Sequence, residues 1–277
     1  MAETHEMRIA GPLSQILAVV DKELRPLPVA DDAEHHSLTT ANALMILNRC
    51  AIVAPDSGLD DVPIRSWAVR TSLGQDRQLL EAAAQRRVAA LASLKRFRLG
   101  VAYLRLTMES ALLTGSAQDG VRDVGIALHG TYGWPVLPGS TLKGTTREYA
   151  RQCTEHDGGS YDALFGVAAP EARVGSVMFL DAMPSRTGVR ITEHVLTPHS
   201  GPYYRDETHN TPPAEYHNPV PIPFLAVEGG SFVIALVGES EAVNTAARLL
   251  KEAVAELGVG AKTAAGYGYL QVMKAGQ

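Results

Sequence analysis

Lysine, arginine and hydroxyl residues cluster where a glycine-containing segment enters a helix. The segment reads Leu137-Pro-Gly-Ser-Thr-Leu-Lys-Gly-Thr-Thr-Arg, and the pattern predicts a helix over 140–153 with Ser140 as its N-cap. A capping box would place Glu or Gln three residues after Ser140, but Lys143 stands there. Because the free N–H groups and the positive dipole end of a first helical turn attract anions, a lysine at this position suits a bound phosphate.

A basic stripe continues along the same predicted helix. Lys143, Arg147 and Arg151 are spaced at i, i+4 and i+8, which places their side chains on one face. The segment is therefore a candidate phosphate-binding element. The alternative interpretation is an ordinary Pro-Gly-Ser helix start followed by a solvated basic face.

A second glycine-rich segment lies near the C-terminus and reads Gly258-Val-Gly-Ala-Lys-Thr-Ala-Ala-Gly-Tyr-Gly. It differs from a P-loop because Ala261 precedes Lys262 and because a strand, not a helix, is predicted to follow. The glycines permit close approach of the backbone to a ligand, and Lys262 and Thr263 can bind a phosphate. The alternative is a glycine helix cap followed by a tight turn into an edge strand.

A proline-rich stretch over 184–223 contains four histidines and three tyrosines. The histidines are His194, His199, His209 and His217, and Glu193 precedes the first of them. Their spacing is irregular and no cysteine accompanies them, so a zinc-stabilised assembly module is a weaker interpretation than an irregular surface loop. With the tyrosines Tyr203, Tyr204 and Tyr216 nearby, base stacking is at least as good an interpretation as metal binding.

No residue set provides a nucleophile, a base and an orienting group together. Ser140 lacks the Gly-x-Ser-x-Gly context of a nucleophile elbow, and Asp162 and Asp181 are too isolated in sequence to form a predicted carboxylate pair. His129 could serve as a general base, although a structural histidine is the simpler interpretation. The sequence therefore predicts a protein that is not an enzyme and that needs no cofactor or metal.

The elements that must position these residues begin after an N-terminal extension, residues 1–36, that we expect to be partly mobile. A helical lead-in follows over 37–98. One helix is predicted from Ser37, capped by Thr39 or Thr40 and ended by Pro55, and a second over 75–96.

From Val101 onward the predicted order is strand, helix, strand, strand, helix, strand. A strand is predicted over 174–180 and a hairpin over 222–237, and the second helix spans 240–257. This order indicates an α+β fold with a ferredoxin-like, RRM-like β-α-β-β-α-β unit over 100–275, interrupted by an insertion at 184–223. The open face of such a sheet is the surface that RRM domains use to bind single-stranded RNA.

Composition limits the class of protein. The chain has 277 residues, 45% of them hydrophobic, and a formal net charge of −5, which argues against coating nucleic acid by bulk charge. No apolar run approaches the roughly 20 residues of a membrane helix, and no secretory signal is visible, so we expect no membrane association. The two cysteines, Cys50 and Cys153, are expected to be reduced thiols of a cytoplasmic protein.

The two glycine-rich segments, together with several short motifs between them, resemble those of the RAMP superfamily of CRISPR-associated proteins. Within it, the chain is similar to the family of sixth subunits of the Cmr (type III-B) effector complex. Four further motifs carry the resemblance. They are Leu164-Phe-Gly, Gly175-Ser-Val-Met-Phe-Leu-Asp-Ala-Met-Pro, Leu196-Thr-Pro-His-Ser-Gly-Pro-Tyr-Tyr and Asn218-Pro-Val-Pro-Ile-Pro-Phe-Leu-Ala-Val. Their order over roughly residues 100–270 makes the signal specific.

This resemblance implies a non-catalytic, RNA-binding structural subunit of an antiviral ribonucleoprotein. Its partners would be a CRISPR guide RNA, near the guide's 3′ end, and other Cmr subunits, both RAMP paralogues and the small helical subunit, with target RNA a further possibility. The residues implied to bind RNA are Ser140, Lys143, Arg147, Gly258, Gly260, Lys262 and Thr263.

The insertion would protrude to reach RNA or a neighbouring subunit, with contacts from His199, Tyr203 and Tyr204. The alternative function is a RAMP-family endoribonuclease that processes guide RNA precursors, with His129 as its base. No second histidine in a fixed relation to His129 supports that alternative.

Overall fold

The computed structural model describes residues 7–10, 19–20, 42–54, 58–59, 61–71, 73–115, 126–154, 161–168, 170–208, 210–214 and 218–274. The chain forms a mixed α/β structure whose sheets are antiparallel throughout the described residues. No helix in these ranges is long and apolar enough to cross a membrane.

The strands, in chain order, are β1 (Met7–Ala10), β2 (Val19–Val20), β3 (Ala51–Ala54), β4 (Gly58–Leu59), β5 (Gly100–Met108), β6 (Gly166–Val167), β7 (Arg173–Val174), β8 (Val177–Phe179), β9 (Met183–Pro184), β10 (Arg190–Leu196), β11 (Ile222–Glu228), β12 (Ser231–Gly238) and β13 (Leu270–Lys274). The helices are α1 (Ala43–Arg49), α2 (Val62–Arg70), α3 (Arg77–Ala92), α4 (Gly139–Thr154), α5 (Asp162–Phe165), α6 (Gly201–Arg205) and α7 (Ser240–Glu256).

The main sheet has the strand order β13-β5-β12-β8, and β9 also pairs with β12. Its register places Leu106 opposite both Phe232 and Val272, so these side chains share one face. All three are buried in the core, together with Val243, Leu250 and Val254 of α7. The predicted strand near 101 and the predicted helix over 240–257 are confirmed.

The edge strand beside α4 is broken in the middle. Residues of β8 and β9 both pair with β12, but Ala182 between them turns away and pairs with Leu137 instead, with N–H···O distances of 2.8 and 3.0 Å. This break leaves Asp181 beside the first residue of α4. It therefore connects the sheet edge directly to the basic helix.

Part of the second face of the sheet is covered. Leu91 of α3 and Leu94, in the 3-10 turn that follows, pack against Ala235 and Val237 of β12. The expectation of a fully open RRM-like face is wrong for this half of the sheet, because α3 buries its apolar side chains there. The predicted helix over 75–96 is observed as α3, but Val88, which falls at helical spacing with Leu80 and Leu91, is 51% exposed.

The predicted hairpin over 222–237 is wrong. β11 pairs over seven residues with β10, from Arg190 opposite Glu228 to Leu196 opposite Ile222, while β12 joins the main sheet. Gly229 and Gly230 both have positive φ, 61° and 74°, and they redirect the chain between the two sheets. The ends of the predicted insertion thus form a regular two-stranded ribbon, β10–β11.

The lead-in also differs from its prediction. α1 begins after Asn42, whose side chain accepts a hydrogen bond from Leu44 N–H, and it ends at Arg49 rather than near Pro55. β3 follows and enters a small sheet of order β2-β1-β3-β4, so two strands of that sheet come from the predicted 1–36 extension. The sequence pattern did not reveal α2. Cys50 is buried and Cys153 exposed, and the two do not form a disulfide.

Candidate nucleic-acid interface

The N-terminus of α4 already has a carboxylate partner. Gly139, the first helical residue, donates its N–H to Asp181 Oδ1 at 2.8 Å. A Cβ at Gly139 would lie 2.2 Å from the carbonyl oxygen of Phe179, so only glycine permits this approach. Ser140 lies inside the first turn and is exposed, so its prediction as the N-cap is wrong.

The basic stripe of α4 contains two cations without a partner. Lys143 is half-buried and Arg147 exposed, and neither forms a hydrogen bond or ion pair with a described residue. Arg151 differs, because its guanidinium lies 2.7 Å from Glu148 Oε1. Hydrogen bonds from Arg151 and Gln152 lower the pKa of Glu148 to about 2. Lys143 and Arg147 therefore remain available to an external anion.

The glycine-rich segment 258–268 is a loop whose shape is fixed by backbone hydrogen bonds. Ala261 N–H donates to the Leu113 carbonyl, and Val259 N–H to the Gly268 carbonyl, each at 2.8 Å. Gly260 has φ +90° and would place a Cβ 2.3 Å from the carbonyl oxygen of Leu113. Close approach of two backbone segments thus accounts for the glycine pattern within the chain itself.

Lys262 is held in an unusual backbone conformation on this loop. Its φ of 62° is in the left-handed region, which non-glycine residues rarely adopt. Its side chain is exposed, with Nζ 5.7 Å from the centre of the Phe224 ring. Thr263 is half-buried and its carbonyl accepts a hydrogen bond from the Tyr269 hydroxyl at 3.4 Å. The loop therefore presents one lysine over an aromatic ring.

The two predicted phosphate-binding elements contact opposite edges of the main sheet. The first turn of α4 contacts Phe179 and Asp181 beside β8, whereas the loop 258–268 leads into β13. Three inter-strand steps of about 4.8 Å each separate these edge strands. The first turn of α4 and the loop 258–268 therefore do not lie side by side.

A hydrogen-bonded group that the sequence pattern did not reveal supports the loop. His194 of β10 contacts the Tyr267 hydroxyl through Nδ1 and Glu228 Oε1 through Nε2, both at 2.9 Å. The rings of His194, Phe224 and Tyr267 lie 5.6 to 5.9 Å apart. These contacts tie the β10–β11 ribbon to the glycine-rich loop. Because the residues are 34 and 73 positions from His194, no local motif could have identified them.

The histidine stretch does not gather into a metal-binding cluster within the described residues. No three His, Cys, Asp or Glu side chains there are close enough to hold a metal ion. His194 is engaged as described, Glu193 pairs with Arg65, and His199 is exposed. His209 and His217 lie outside the described residues.

The tip of the ribbon presents aromatic side chains. Tyr203 and Tyr204 lie on α6, with ring centres 5.2 Å apart, and are 38% and 80% exposed. Asp206 then accepts hydrogen bonds from the N–H groups of Thr208, Asn210 and Thr211 at 2.7 to 3.0 Å. The hydrogen bond that the Thr208 hydroxyl donates to this carboxylate, together with those from Thr211 and the Thr208 N–H, holds the pKa of Asp206 well below its usual range. The carboxylate organises a turn behind the tyrosines.

We expect limited proteolysis of the free chain to cleave within 197–216 before the main sheet, because few apolar side chains anchor this segment. Asp206→Ala should accelerate that cleavage by removing the acceptor of the turn, and Glu207→Ala, an exposed neighbour, should not. Mass spectrometry of timed digests measures both effects. A segment 197–216 that survives as long as the core in the wild type would contradict the expectation.

An open cavity of about 310 Å³ lies between α3, the 129–132 turn and the broken strand β8–β9. The lining residues are Ala83, Arg86, Arg87, Ala90, His129, Thr131, Tyr132, Leu180, Asp181 and Met183. His129 Nδ1 accepts hydrogen bonds from Thr131 N–H at 3.2 Å and Tyr132 N–H at 3.4 Å. Burial, together with the nearby Arg87 charge, lowers the pKa of His129, although Asp181 opposes that shift.

Three similarities to known proteins accompany this geometry. A family model described as the RAMP superfamily matches residues 105–271. The CRISPR system Cmr subunit Cmr6 of Pyrococcus furiosus is 29% identical to the chain in an alignment 221 residues long, and the match covers 58% of this chain. The chain spans 65% of the length of that curated relative. A chain in the cryo-EM structure of the type III-B Cmr-beta bound to cognate target RNA superposes with a TM-score of 0.58. It is 20% identical, the match covers 76% of this chain and 69% of that one, and it shows a shared fold.

Proposed function

Since this chain belongs to the RAMP superfamily, we propose that it is an RNA-binding subunit of a type III-B CRISPR effector complex. The observation that carries the proposal is the 29% identity to Cmr6 over 221 residues. Its partners would be the guide RNA, near the guide's 3′ end, other Cmr subunits and, at the ribbon tip, target RNA or a neighbour. Its site of action would be the cytoplasm.

The main sheet supports a ferredoxin-like unit as the framework of this subunit. In chain order its elements are β5, α4, β8–β9, β12, α7 and β13. Numbered one to four along the chain, the strands are β5, β8–β9, β12 and β13, and their spatial order in the sheet is 4-1-3-2. Neighbouring strands are antiparallel, as in a ferredoxin-like unit. Both helices contact each other, and buried residues of α7 pack on the face formed by Leu106 and Phe232.

We propose that the subunit binds the sugar-phosphate backbone of RNA through cations at separate places on its surface. Lys143 and Arg147 at one sheet edge and Lys262 at the other are cations without an ion-pair partner among the described residues. A few placed cations can hold RNA on a chain whose net charge is −5. Phosphate contacts carry no sequence information, so such a subunit would accept any guide sequence.

Changing Lys143 and Lys262 together to Ala should weaken binding of single-stranded RNA about equally for different sequences. Each lost phosphate contact reduces the slope of log affinity against log salt by about 0.7, so the double variant should lose about 1.4. Because the two lysines contact different sheet edges, the single variants should add up to the double. The measurement is fluorescence anisotropy with labelled RNA across a salt series.

The matched control is Lys251→Ala with Lys274→Ala, which removes two exposed lysines from α7 and β13. Melting curves should show both double variants within about 0.5 kcal/mol of the wild type, since half-buried or exposed lysines without an ion pair contribute little to folding. A salt slope that stays unchanged in the Lys143 and Lys262 variant, or that falls equally in the control, would show that these segments are structural turns.

We propose that the subunit is not catalytic. His194, the described histidine with the most elaborate polar contacts, has both ring nitrogens engaged by Tyr267 and Glu228. His129 accepts two backbone N–H groups, and no Ser, Thr or Cys side chain among the described residues is hydrogen-bonded to its ring. We expect purified protein to leave guide precursor and target RNA intact, with or without divalent metal, as resolved on denaturing gels. Site-specific cleavage that His129→Ala abolishes would favour the endoribonuclease instead.

A further inference from the structure

The cavity beside α3 has cationic walls that the glycine-rich segments do not share. Two adjacent arginines, Arg86 and Arg87, line it from α3, and His129, Thr131 and Tyr132 line it from the opposite turn. Asp181, the one carboxylate among the described residues that line it, accepts the N–H of Gly139 at 2.8 Å. With His129 neutral, two positive charges face one negative charge that already has a partner.

Arg87 is the least satisfied of these groups. It is half-buried, and burial lowers the pKa of its guanidinium from the ordinary value. It makes no hydrogen bond or ion pair with a described residue, although Asp181 and Tyr103 are within electrostatic range. A guanidinium removed from water without a partner is costly, and it offers up to five N–H donors to an anion.

Arg86 is held in place from the other side of the cavity. Its guanidinium donates to the Tyr132 hydroxyl and lies 5.7 Å from the centre of the Tyr132 ring. That ring stacks on Trp134 at 4.3 Å and 12°, and Trp134 packs against Leu80 and Ala83 of α3. Arg86 is therefore ordered before any ligand arrives, which reduces the entropy lost on binding.

His129 adds a donor that responds to charge. Because Nδ1 accepts two backbone N–H groups, the neutral ring carries its proton on Nε2. A negatively charged ligand in the cavity would stabilise the imidazolium form. Binding of an anion is thus expected to raise the pKa of His129 from its depressed value, and this gives a local spectroscopic signal.

We propose that this cavity binds a backbone phosphate of single-stranded RNA through Arg86 and Arg87. Its volume accommodates a phosphate group with its sugar but needs no base, and the Tyr132 ring is already in contact with Trp134, His129 and Arg86. The inference rests on the proposed RNA-binding function and adds a third contact point, beside α3.

The test compares Arg86→Gln with Arg87→Gln against the control Arg77→Gln with Arg173→Gln, which removes two exposed arginines. Labelled single-stranded RNA is titrated across a salt series in the full chain. The cavity variant should bind about tenfold more weakly at low salt and lose about 0.7 of the salt slope, and the control should match the wild type. The double variant Arg86→Lys with Arg87→Lys preserves both charges and should keep the salt slope of the wild type. It replaces the Gln variant in the titration if the Gln variant does not fold.

The second readout is the NMR titration of the His129 ring with RNA and with inorganic phosphate. RNA should raise the pKa of His129 in the wild type and not in the Gln variant. If the cavity variant binds RNA like the control while the Lys143 and Lys262 variant is weakened, the inference is overturned and the proposed function stands. If the wild type binds no RNA but inorganic phosphate still raises the pKa of His129, the proposed function and the RNA assignment are both overturned.

Discussion

Gly268→Ala should destabilise the chain by about 3 kcal/mol, as measured by urea denaturation. Gly268 has φ +79°, and an added Cβ would lie 2.0 Å from the carbonyl oxygen of Val259. The loop cannot shift to relieve this contact, because Gly268 N–H donates to Ala111 and its carbonyl accepts from Val259, both at 2.8 Å. The substitution should also displace Lys262 and reduce the salt slope of RNA binding.

Gly266→Ala is the matched control two residues away. Its φ of +90° is equally unfavourable for an L-residue, but a Cβ there meets nothing within 4 Å. It should cost only the backbone strain, about 1–2 kcal/mol. Equal losses in the two variants would show that conformation alone, and not the close approach of two backbone segments, fixes the glycine pattern.

The second large effect is expected at the pair between Arg65 of α2 and Glu193 of β10. Arg65 Nε lies 2.9 Å from Glu193 Oε2, and the arginine side chain is 10% exposed. Glu193→Ala should cost about 2–3 kcal/mol because it leaves a buried guanidinium without its carboxylate. Thermal and urea unfolding measure the loss.

Replacing both Arg65 and Glu193 distinguishes the cost of an unpaired buried charge from the cost of lost side-chain packing. Arg65→Met with Glu193→Ala should be more stable than Glu193→Ala alone, since the buried charge is then removed. Arg190→Ala is the control, because this exposed arginine lies 3.8 Å from Glu228 and should cost under about 0.5 kcal/mol. A double variant no more stable than Glu193→Ala would contradict the assigned cause.

Elements with a strong local pattern could be predicted from sequence. Val243, Leu250 and Val254 recur at helical spacing and end at a glycine, and α7 follows that pattern into the core. The alternation of β5 likewise appears as buried Leu104 and Leu106. In both elements the chain's own periodicity and the tertiary packing favour the same structure.

Elements decided by distant partners could not be predicted. Ile222 to Val237 looks like a hairpin because two apolar runs flank Gly229 and Gly230, yet β10 competes successfully for β11 over seven residues. β10 itself lacks an apolar signature, since Glu193 and His194 occupy its middle. Their partners, Arg65 and Glu228, satisfy them only in the folded chain.

The candidate site shows the same division. The glycine-rich loop is visible in the sequence because positive φ at Gly258, Gly260, Gly266 and Gly268 requires glycine. The cavity arginines carry no such mark, since Arg86 and Arg87 read as the polar face of an ordinary helix. Only the packing of α3 against the sheet brings them opposite His129.

The tip of the β10–β11 ribbon is a suitable site for attaching a label. Its base is fixed by seven paired rows and by hydrogen bonds of 2.8 Å in both directions between Leu112 and Val227, whereas its tip carries exposed α6. A reporter spliced between 197 and 221 would leave the register of the paired rows unchanged. With the native segment kept instead, a fluorophore at exposed Tyr204 would report contact of another molecule with the ribbon tip while the rest of the chain folds as before.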